Sequence, residues 1–170
     1  MTETRWLSSR EQRMWRAFHD MRRYLDEALD RQLTEAGLSN ADYQLLVPLS
    51  EAPDRCLRAR DLGRVAGWDR SRLSHQLRRM EQRGLLTRED CPSDARGVMV
   101  RLTAEGQGAI EAAAPGHVET VRRLFVDLLE PDEIDTLVSI SNRVLFRIAQ
   151  ESLGPGTSVH VATIDPPIGE

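Results

Sequence analysis

Hydrophobic residues recur along most of this chain at the spacing of helices. Between Ser9 and Glu35, apolar side chains return every three or four positions, which places them on one face of a long helix. We expect Ser9 to cap this helix, with Gln12 three residues further on, and Gly37 to end it. A second helix is predicted over Ser39–Glu51, with its opening serine as the N-cap.

The next segment has the spacing of a helix-turn-helix. A short helix is predicted near Arg58–Val65, with Leu57, Leu62 and Val65 turned inward. Ala66-Gly67-Trp68 forms a turn because glycine readily adopts the backbone angles of tight turns. A longer helix then runs from Asp69 or Arg70 to Arg83, where Gly84 closes it.

A hairpin and two further helices complete the predicted elements. Strands are expected at Leu85–Glu89 and Val98–Leu102, joined by the polar loop Asp90–Gly97. Thr103 caps a fifth helix, which we expect to be interrupted or bent near Pro115-Gly116 and to run to about Leu129. Pro131 suits the first position of a sixth helix.

The charge of the chain is unevenly distributed. The 170 residues carry a net charge of −4, and all 23 basic residues are arginine. That balance alone argues weakly against a nucleic-acid partner. However, residues 55–101 hold 12 arginines and 6 acidic residues, whereas the remainder holds 11 arginines and 21 acidic residues. Such asymmetry is expected of a DNA-reading centre inside an acidic scaffold.

Several classes of protein are disfavoured by the composition. No apolar stretch is long enough to cross a membrane, and the charged N-terminus lacks the apolar segment of a secretory signal, so we expect a cytoplasmic protein. Cys56 and Cys91 lack zinc-site spacing, and His19 and His117 lack a clear third ligand, so neither a metal nor a cofactor is expected. No nucleophile–base set or glycine-rich phosphate loop indicates an enzyme.

The outer face of the longer helix is the candidate DNA-reading surface. On a helical wheel Leu73, Leu77 and Met80 face the core, and the opposite face carries only polar side chains. Arginine suits guanine through its paired N–H groups, and Ser71 lies where a helix N-terminus favours phosphate. An ordinary solvated face explains the pattern equally well, but the preceding short helix and turn favour DNA reading. The predicted contacts on this helix are Arg70, Ser71, Arg72, Ser74, His75, Arg78 and Arg79.

The hairpin is the candidate wing. Arg96 is placed to project from it toward a minor groove, where a narrow width strengthens the negative potential. Asp94, two residues earlier, either orients this guanidinium or stabilises the turn. The alternative is a surface ion pair of little energetic weight. Arg88 and Arg101 are predicted to contact phosphates or to be simple strand-edge charges.

These paired motifs, RSRLSHQLRRMEQRGLL and DARGVMVRLT, resemble the MarR family of bacterial transcription regulators. The matched positions are Ser71, Ser74, Arg83, Gly84 and Leu85 around the helix, and Asp94, Arg96, Gly97, Val100, Leu102 and Thr103 in the hairpin. The resemblance covers roughly Ser9–Ser152. It implies a mainly α-helical winged helix-turn-helix with a small β-hairpin, which binds a pseudopalindromic operator as a homodimer. Arg72 and His75 depart from common family residues, which leaves the target sequence open.

The resemblance also implies a division of labour within one compact domain. Residues 1–38 are expected to form an N-terminal dimerisation helix, 39–103 the DNA-binding lobe and 104–152 the C-terminal dimerisation helices. Residues 153–170 lie outside the resemblance, and their Gly/Pro-rich composition predicts an extended tail. Regulation by a small molecule or by oxidation is implied as well. A repressor is the expected direction of control.

The resemblance implies an effector site between the dimerisation helices and the DNA-binding lobe, where family members commonly hold ligands. Trp15, His19 and Arg22 share one face of the first helix, and Tyr43 and His117 are expected to approach them. An aromatic wall with a cation suits an anionic aromatic or phenolic ligand. Core packing is the alternative for Trp15, His19 and Tyr43.

Two further interpretations remain open. Cys56, flanked by two arginines, is the better candidate for a thiol switch, since carboxylates surround Cys91 on the predicted wing. A helical protein-interaction module is the rival from another functional class. Its binding would not show the steep salt dependence of phosphate contacts.

Overall fold

The computed structural model describes residues 4–91 and 94–153, apart from the side chains of residues 94–96 and 152–153. This part of the chain is mainly helical with a small antiparallel sheet, which confirms the predicted fold class. Its helices are α1 (Ser9–Glu35), α2 (Asn40–Glu51), α3 (Ala59–Ala66), α4 (Arg70–Gln82), α5 (Ala104–Leu124) and α6 (Pro131–Leu153). Its strands are β1 (Cys56–Arg58), β2 (Leu86–Cys91) and β3 (Asp94–Leu102). Residues 154–170, most of the predicted tail, lie outside the described residues.

Helix α1 has the predicted bounds but a different cap. Ser8, not Ser9, precedes the first turn, and its Oγ accepts from the Glu11 backbone N–H at 3.3 Å. The Glu11 carboxylate accepts from the Ser8 backbone N–H at 2.7 Å, which completes a capping box. The prediction of Ser9 with Gln12 was wrong because a charged carboxylate is the stronger acceptor at the positive end of a helix.

The helix-turn-helix is closed by local capping. Gly67 ends α3 with φ of 66°, a left-handed conformation that side chains disfavour. The Asp69 carboxylate then accepts from the Ser71 and Arg72 backbone N–H groups at 2.8 and 3.0 Å and starts α4. Val65 is 60% exposed, so its predicted inward position was wrong, and Leu62 alone is the large buried residue of α3.

The sheet has one more strand and a longer hairpin than predicted. Its order is β1-β3-β2, with both pairings antiparallel. Leu57, predicted near the start of the short helix, lies on β1 opposite Val100. The predicted loop Asp90–Gly97 was wrong because β2 extends to Cys91 and β3 begins at Asp94. Backbone pairing of the two strands carries the ribbon through this polar stretch, with Asp90 opposite Val98 and Cys91 opposite Asp94.

The last two helices differ from prediction at one point. Helix α5 runs unbroken through Pro115 to Leu124, and a short 3-10 turn at Val126–Leu128 follows it. A proline removes only one helical hydrogen bond, and Ile110 and Ala113 in the preceding turns are buried. Helix α6 begins at Pro131, as predicted. The boundary between two compact units of the chain falls between Val121 and Arg122.

The core of the first unit consists mostly of leucine. Buried side chains from five helices and the sheet contribute to it, namely Leu33, Leu38, Leu45, Leu46, Leu49, Leu62, Leu73, Leu77, Met80, Leu85, Leu86, Val100, Leu102, Ile110 and Ala113. The three residues of α4 predicted to face inward, Leu73, Leu77 and Met80, are all among them. Burial of this stripe fixes the rotation of α4 about its axis and thereby turns its polar face outward.

A buried carboxylate at the start of α2 is hydrogen-bonded to α4 and to Arg83, which also contacts the end of α1. Asp42, with 0% of its surface exposed, accepts from Gln76 Nε2 at 2.7 Å and from Arg83 Nη1 at 2.6 Å. The Asp42 carboxylate also accepts from the Ser39 backbone N–H at 2.9 Å and so caps α2. Arg83 Nη2 donates to the Gly37 carbonyl at 2.6 Å. The position of α4 is therefore set by polar contacts as well as by the core.

Candidate nucleic-acid interface

The polar face of α4 is open to solvent along its length. Every side chain predicted there to contact DNA is exposed, namely Arg70, Ser71, Arg72, Ser74, His75, Arg78 and Arg79. Five of them, Arg70, Ser71, Ser74, His75 and Arg78, line a shallow depression of about 530 Å³. The depression thus joins guanidinium, hydroxyl and imidazole groups, which are the donors and acceptors that read base edges.

The start of α4 is held in place by two contacts that sequence reasoning only partly anticipated. The pKa of Asp69 is lowered first by the hydrogen bond from the Arg72 backbone, so the capping carboxylate stays charged. The Arg72 guanidinium lies 4.0 Å from the centre of the Trp68 ring, a cation–π contact. Trp68 was predicted only as part of a turn. The spacing of Trp68 and Arg72, four positions apart, was the sequence signal that could have predicted this contact.

The two arginines predicted on the strands are engaged within the protein. Arg88 donates to the Glu81 carboxylate through Nε at 3.0 Å and through Nη2 at 2.5 Å. Arg101 donates to Glu89 at 3.1 Å and to the Asp54 carbonyl at 3.1 Å. These pairs favour the strand-edge alternative over phosphate contact for both residues. The side chains of Asp94 and Arg96, the predicted wing contacts, lie outside the described residues.

The predicted effector residues fall into two groups within the first unit. The rings of Trp15 and His19 meet edge to face at 4.5 Å, with exposed Arg22 one turn further along α1. The rings of Tyr43 and His117 lie 4.4 Å apart. Among the described ring contacts, none joins the two groups.

The Tyr43–His117 pair lies in a partly buried environment. Burial lowers the pKa of His117 and, with a smaller contribution from Glu51, raises the pKa of Tyr43. Nδ1 of His117 is buried without a hydrogen-bond partner among the described residues. Gln32 of α1 lies against Gly116, the residue before His117, since a Cβ on Gly116 would lie 2.9 Å from Gln32 Nε2. Sequence reasoning missed Gln32, a polar residue of α1 with no distinguishing signal.

Neither a metal cluster nor a membrane span is found in the described ranges. No group of three His, Cys, Asp or Glu residues there can hold a metal ion. Within the same ranges no helix is long and apolar enough to cross a membrane. Cys56 is partly exposed on β1, opposite Arg101 in the sheet, and Cys91 is buried at the end of β2.

Comparison with known proteins identifies the family. The MarR family model matches residues 36–97, the stretch from the end of α1 to the wing. The crystal structure of Sco3205 from Streptomyces coelicolor, a MarR family transcriptional regulator in complex with DNA, is 41% identical with a TM-score of 0.84. The match covers 92% of this chain and 98% of that one. The chain belongs to the MarR family.

Other MarR-family relatives agree with this assignment. AbsC from Streptomyces coelicolor is 39% identical with a TM-score of 0.83, and the match covers 85% of this chain and 98% of that chain. The transcriptional regulator HosA of Escherichia coli O111:H- is 28% identical over 131 residues, which are 76% of this chain and 95% of HosA. As a MarR-family member, the chain is a DNA-binding transcription regulator and not an enzyme, which confirms both predictions.

Proposed function

We propose that the chain is a homodimeric, sequence-specific regulator that inserts α4 into the major groove of a pseudopalindromic operator. The observation that carries this proposal is the exposed polar face of α4, fixed by Asp42, Asp69 and the buried leucines. The base and phosphate contacts are the seven α4 residues predicted from the sequence, Arg70, Ser71, Arg72, Ser74, His75, Arg78 and Arg79. On the wing, Arg96 is the proposed minor-groove contact, and Asp94 orients its guanidinium or stabilises the turn.

By their positions, the α4 residues are proposed to contact either bases or the phosphate backbone. Arg78 lines the depression and suits the O6 and N7 acceptors of guanine. Ser71 in the first turn suits a phosphate, because the backbone N–H groups there carry partial positive charge. The stacking of Arg72 on Trp68 draws its guanidinium toward the turn, which favours backbone contact.

A homodimer is supported by large apolar side chains that a single chain leaves exposed. On α1 these are Met14, Trp15, Phe18 and Met21, and on α6 they are Ile134, Val138, Leu145 and Ile148. Two copies related by a twofold axis would bury both sets and place two α4 helices in grooves about 34 Å apart. A dimer that covers its operator excludes other proteins from that DNA, which supports repression. Because the proposed partner is genomic DNA, we also propose a cytoplasmic location.

The Arg78→Ala variant tests the reading role. It is expected to lose about 1–3 kcal/mol of binding free energy, a loss of roughly 5- to 150-fold in affinity, and to relax specificity at one or two base pairs. The measurement is a titration of genomic fragments that the purified wild type retains, repeated on single-base variants of the selected site. Arg31→Ala, which removes the same charge from an exposed position of α1, is the matched control.

The same titration tests the dimer and the rival class. Two chains per duplex, together with a dimer mass by light scattering, is the expected stoichiometry. One chain per duplex would contradict the proposed assembly. A helical protein-interaction module would bind a protein partner without the steep salt dependence of phosphate contacts, and its DNA retention would not differ between Arg78→Ala and Arg31→Ala.

We further propose that a small aromatic or phenolic ligand lowers DNA affinity by binding to the predicted effector residues, which are Tyr43 and His117 in one group and Trp15, His19 and Arg22 in the other. The unpartnered Nδ1 of His117 supports this, since a buried polar atom without a partner costs about 1–3 kcal/mol and a ligand hydroxyl or carboxylate would satisfy it. Its neighbour Tyr43 supplies an aromatic face at 4.4 Å.

Arg22→Ala is expected to weaken the response to salicylate or 4-hydroxybenzoate without abolishing DNA binding. An effector must bind the DNA-competent and DNA-incompetent states with different affinity, so release of DNA by the ligand is the readout. A Cys56→Ser, Cys91→Ser double variant should keep the response. If peroxide releases the wild type, the double variant stays bound and no aromatic acid acts, a thiol switch replaces the ligand site.

A further inference from the structure

A second cavity lies beside the recognition helix, between α3, the start of α4 and β3. Its volume is about 760 Å³, within the range of small-molecule binding sites. Arginines and apolar residues share its lining, which consists of Arg58, Ala59, Arg60, Gly63, Arg64, Trp68, Arg70, Leu73, Gly97 and Val98. Of the residues proposed to contact DNA, only Arg70 belongs to it. The effector residues discussed above do not line it.

The apolar part of the cavity suits a planar ring. Trp68 is half-buried at the turn, and the Arg72 guanidinium lies 4.0 Å from the centre of its ring. Leu73 and Val98 supply aliphatic surface nearby. Aromatic bases stack on such a side chain whatever their identity, because every base has a π face.

The charged part of the cavity suits a ligand with several anionic oxygens. Arg60 and Arg64 have side chains that are 82% and 73% exposed, and both share the single carboxylate of Asp61, at 3.8 and 3.1 Å. Arg70 adds a further guanidinium from the start of α4. One guanidinium is enough to hold a carboxylate through two parallel hydrogen bonds, so this excess of arginines matches a chain of phosphates instead.

We propose that this cavity binds a nucleoside polyphosphate, with the base against Trp68 and the phosphates on Arg60, Arg64 and Arg70. Bound nucleotide competes directly with DNA, because Arg70 also lines the depression on the polar face of α4. The competition with DNA rests on the proposed function of that face. Nucleotide binding itself does not, since it can be measured without DNA.

Trp68 itself reports the binding step. In a Trp6→Phe, Trp15→Phe variant it is the remaining tryptophan, and phenylalanine keeps an aromatic ring at both replaced positions, neither of which lines the cavity. Titration with ATP in the presence of EDTA is expected to change its emission saturably, at one nucleotide per chain. Adenosine and tripolyphosphate are each expected to bind at least about tenfold more weakly, since each lacks one half of the recognised chemistry. Equal affinity for ATP and tripolyphosphate would overturn the role of Trp68.

Matched arginine variants separate the cavity from general attraction to positive charge. Arg64→Ala is expected to weaken ATP binding by about tenfold. Arg79→Ala removes the same charge from an exposed α4 position outside the cavity and should leave ATP binding unchanged. Equal weakening by the two variants would overturn the proposed site.

Competition with DNA supplies the last test. The apparent Kd for DNA is expected to rise in proportion to ATP concentration without a plateau, whereas a plateau would indicate a separate allosteric site and overturn direct competition. If ATP does not bind and Arg64→Ala lowers the salt dependence of DNA binding, the cavity holds a backbone phosphate and the nucleotide proposal is wrong. DNA binding by the wild type is also measured without nucleotide. Loss of binding in that measurement would contradict the proposed function, independently of the nucleotide site.

Discussion

The Gly106→Ala variant is expected to lose about 3–5 kcal/mol of its free energy of unfolding. A Cβ at this position in α5 would lie 2.0 Å from the Leu85 carbonyl oxygen and 2.7 Å from Leu102 Cδ1. The first of these atoms is backbone, so it cannot move aside without shifting the strand that follows α4. The Thr103 side chain reinforces this junction, since its hydroxyl donates to the Gly84 carbonyl at 2.6 Å.

Gly108→Ala is the matched control on the same helix. A Cβ at Gly108 meets no atom within 4 Å, so alanine there is expected to stabilise the protein by about 0.5–1 kcal/mol through its higher helix propensity. Chemical denaturation of both variants measures the difference. If Gly106→Ala unfolds at the same denaturant concentration as Gly108→Ala, the close approach of α5 to Leu85 is not a feature of the folded protein.

Asp42→Ala is the second change with a large expected effect, a loss of about 2–4 kcal/mol in the free energy of unfolding. It leaves the buried Gln76 amide without its 2.7 Å acceptor and removes the 2.6 Å partner of Arg83. It also ends the capping box of α2. Asp20→Asn, at an exposed carboxylate 3.7 Å from Arg23, is the control and should change stability by less than about 0.5 kcal/mol.

Asp42 also predicts how stability depends on pH. Burial acts to raise the pKa of Asp42, but hydrogen bonds from Ser39 and the neighbouring Arg83 outweigh it, so the pKa lies below its ordinary value. Because the carboxylate is more easily ionised in the folded chain, its contribution is complete above the pKa of the unfolded carboxyl, about 3.9, and is lost as pH falls through the folded pKa. Asp42→Asn should therefore lose less stability than the wild type on acidification from about pH 5 to pH 3. Identical pH profiles would contradict this account.

Local rules predicted the elements that depend on local sequence. The bounds of α1, the cap of α2 by Ser39 and the start of α6 at Pro131 follow from spacing and capping chemistry. The inward stripe of α4 follows because its period is set by helix geometry alone. The polar face that carries the proposed DNA contacts was predicted by the same argument.

The missed features depend on partners distant in sequence. Gln76 and Arg83 lie 34 and 41 positions from Asp42, so nothing local marks any of the three as a connected group. Strand β1 has only three residues and exists because β3 pairs with it. The cavity beside Trp68 similarly requires α3, α4 and β3 to meet. Local sequence patterns do not reveal such contacts between distant elements.

The Arg83 side chain constrains how the reading helix can move. Its planar guanidinium donates from Nη2 to the Gly37 carbonyl at the end of α1 and from Nη1 to the Asp42 carboxylate at the start of α2. The bond to Asp42 holds Arg83 against the start of α2, so rotation of α1 about Gly37 would break the bond to the Gly37 carbonyl, and this connection resists hinge motion. We expect any displacement of α4 to accompany a tilt of the whole C-terminal half of α1, so that a movement of this half of α1 is transmitted to α4.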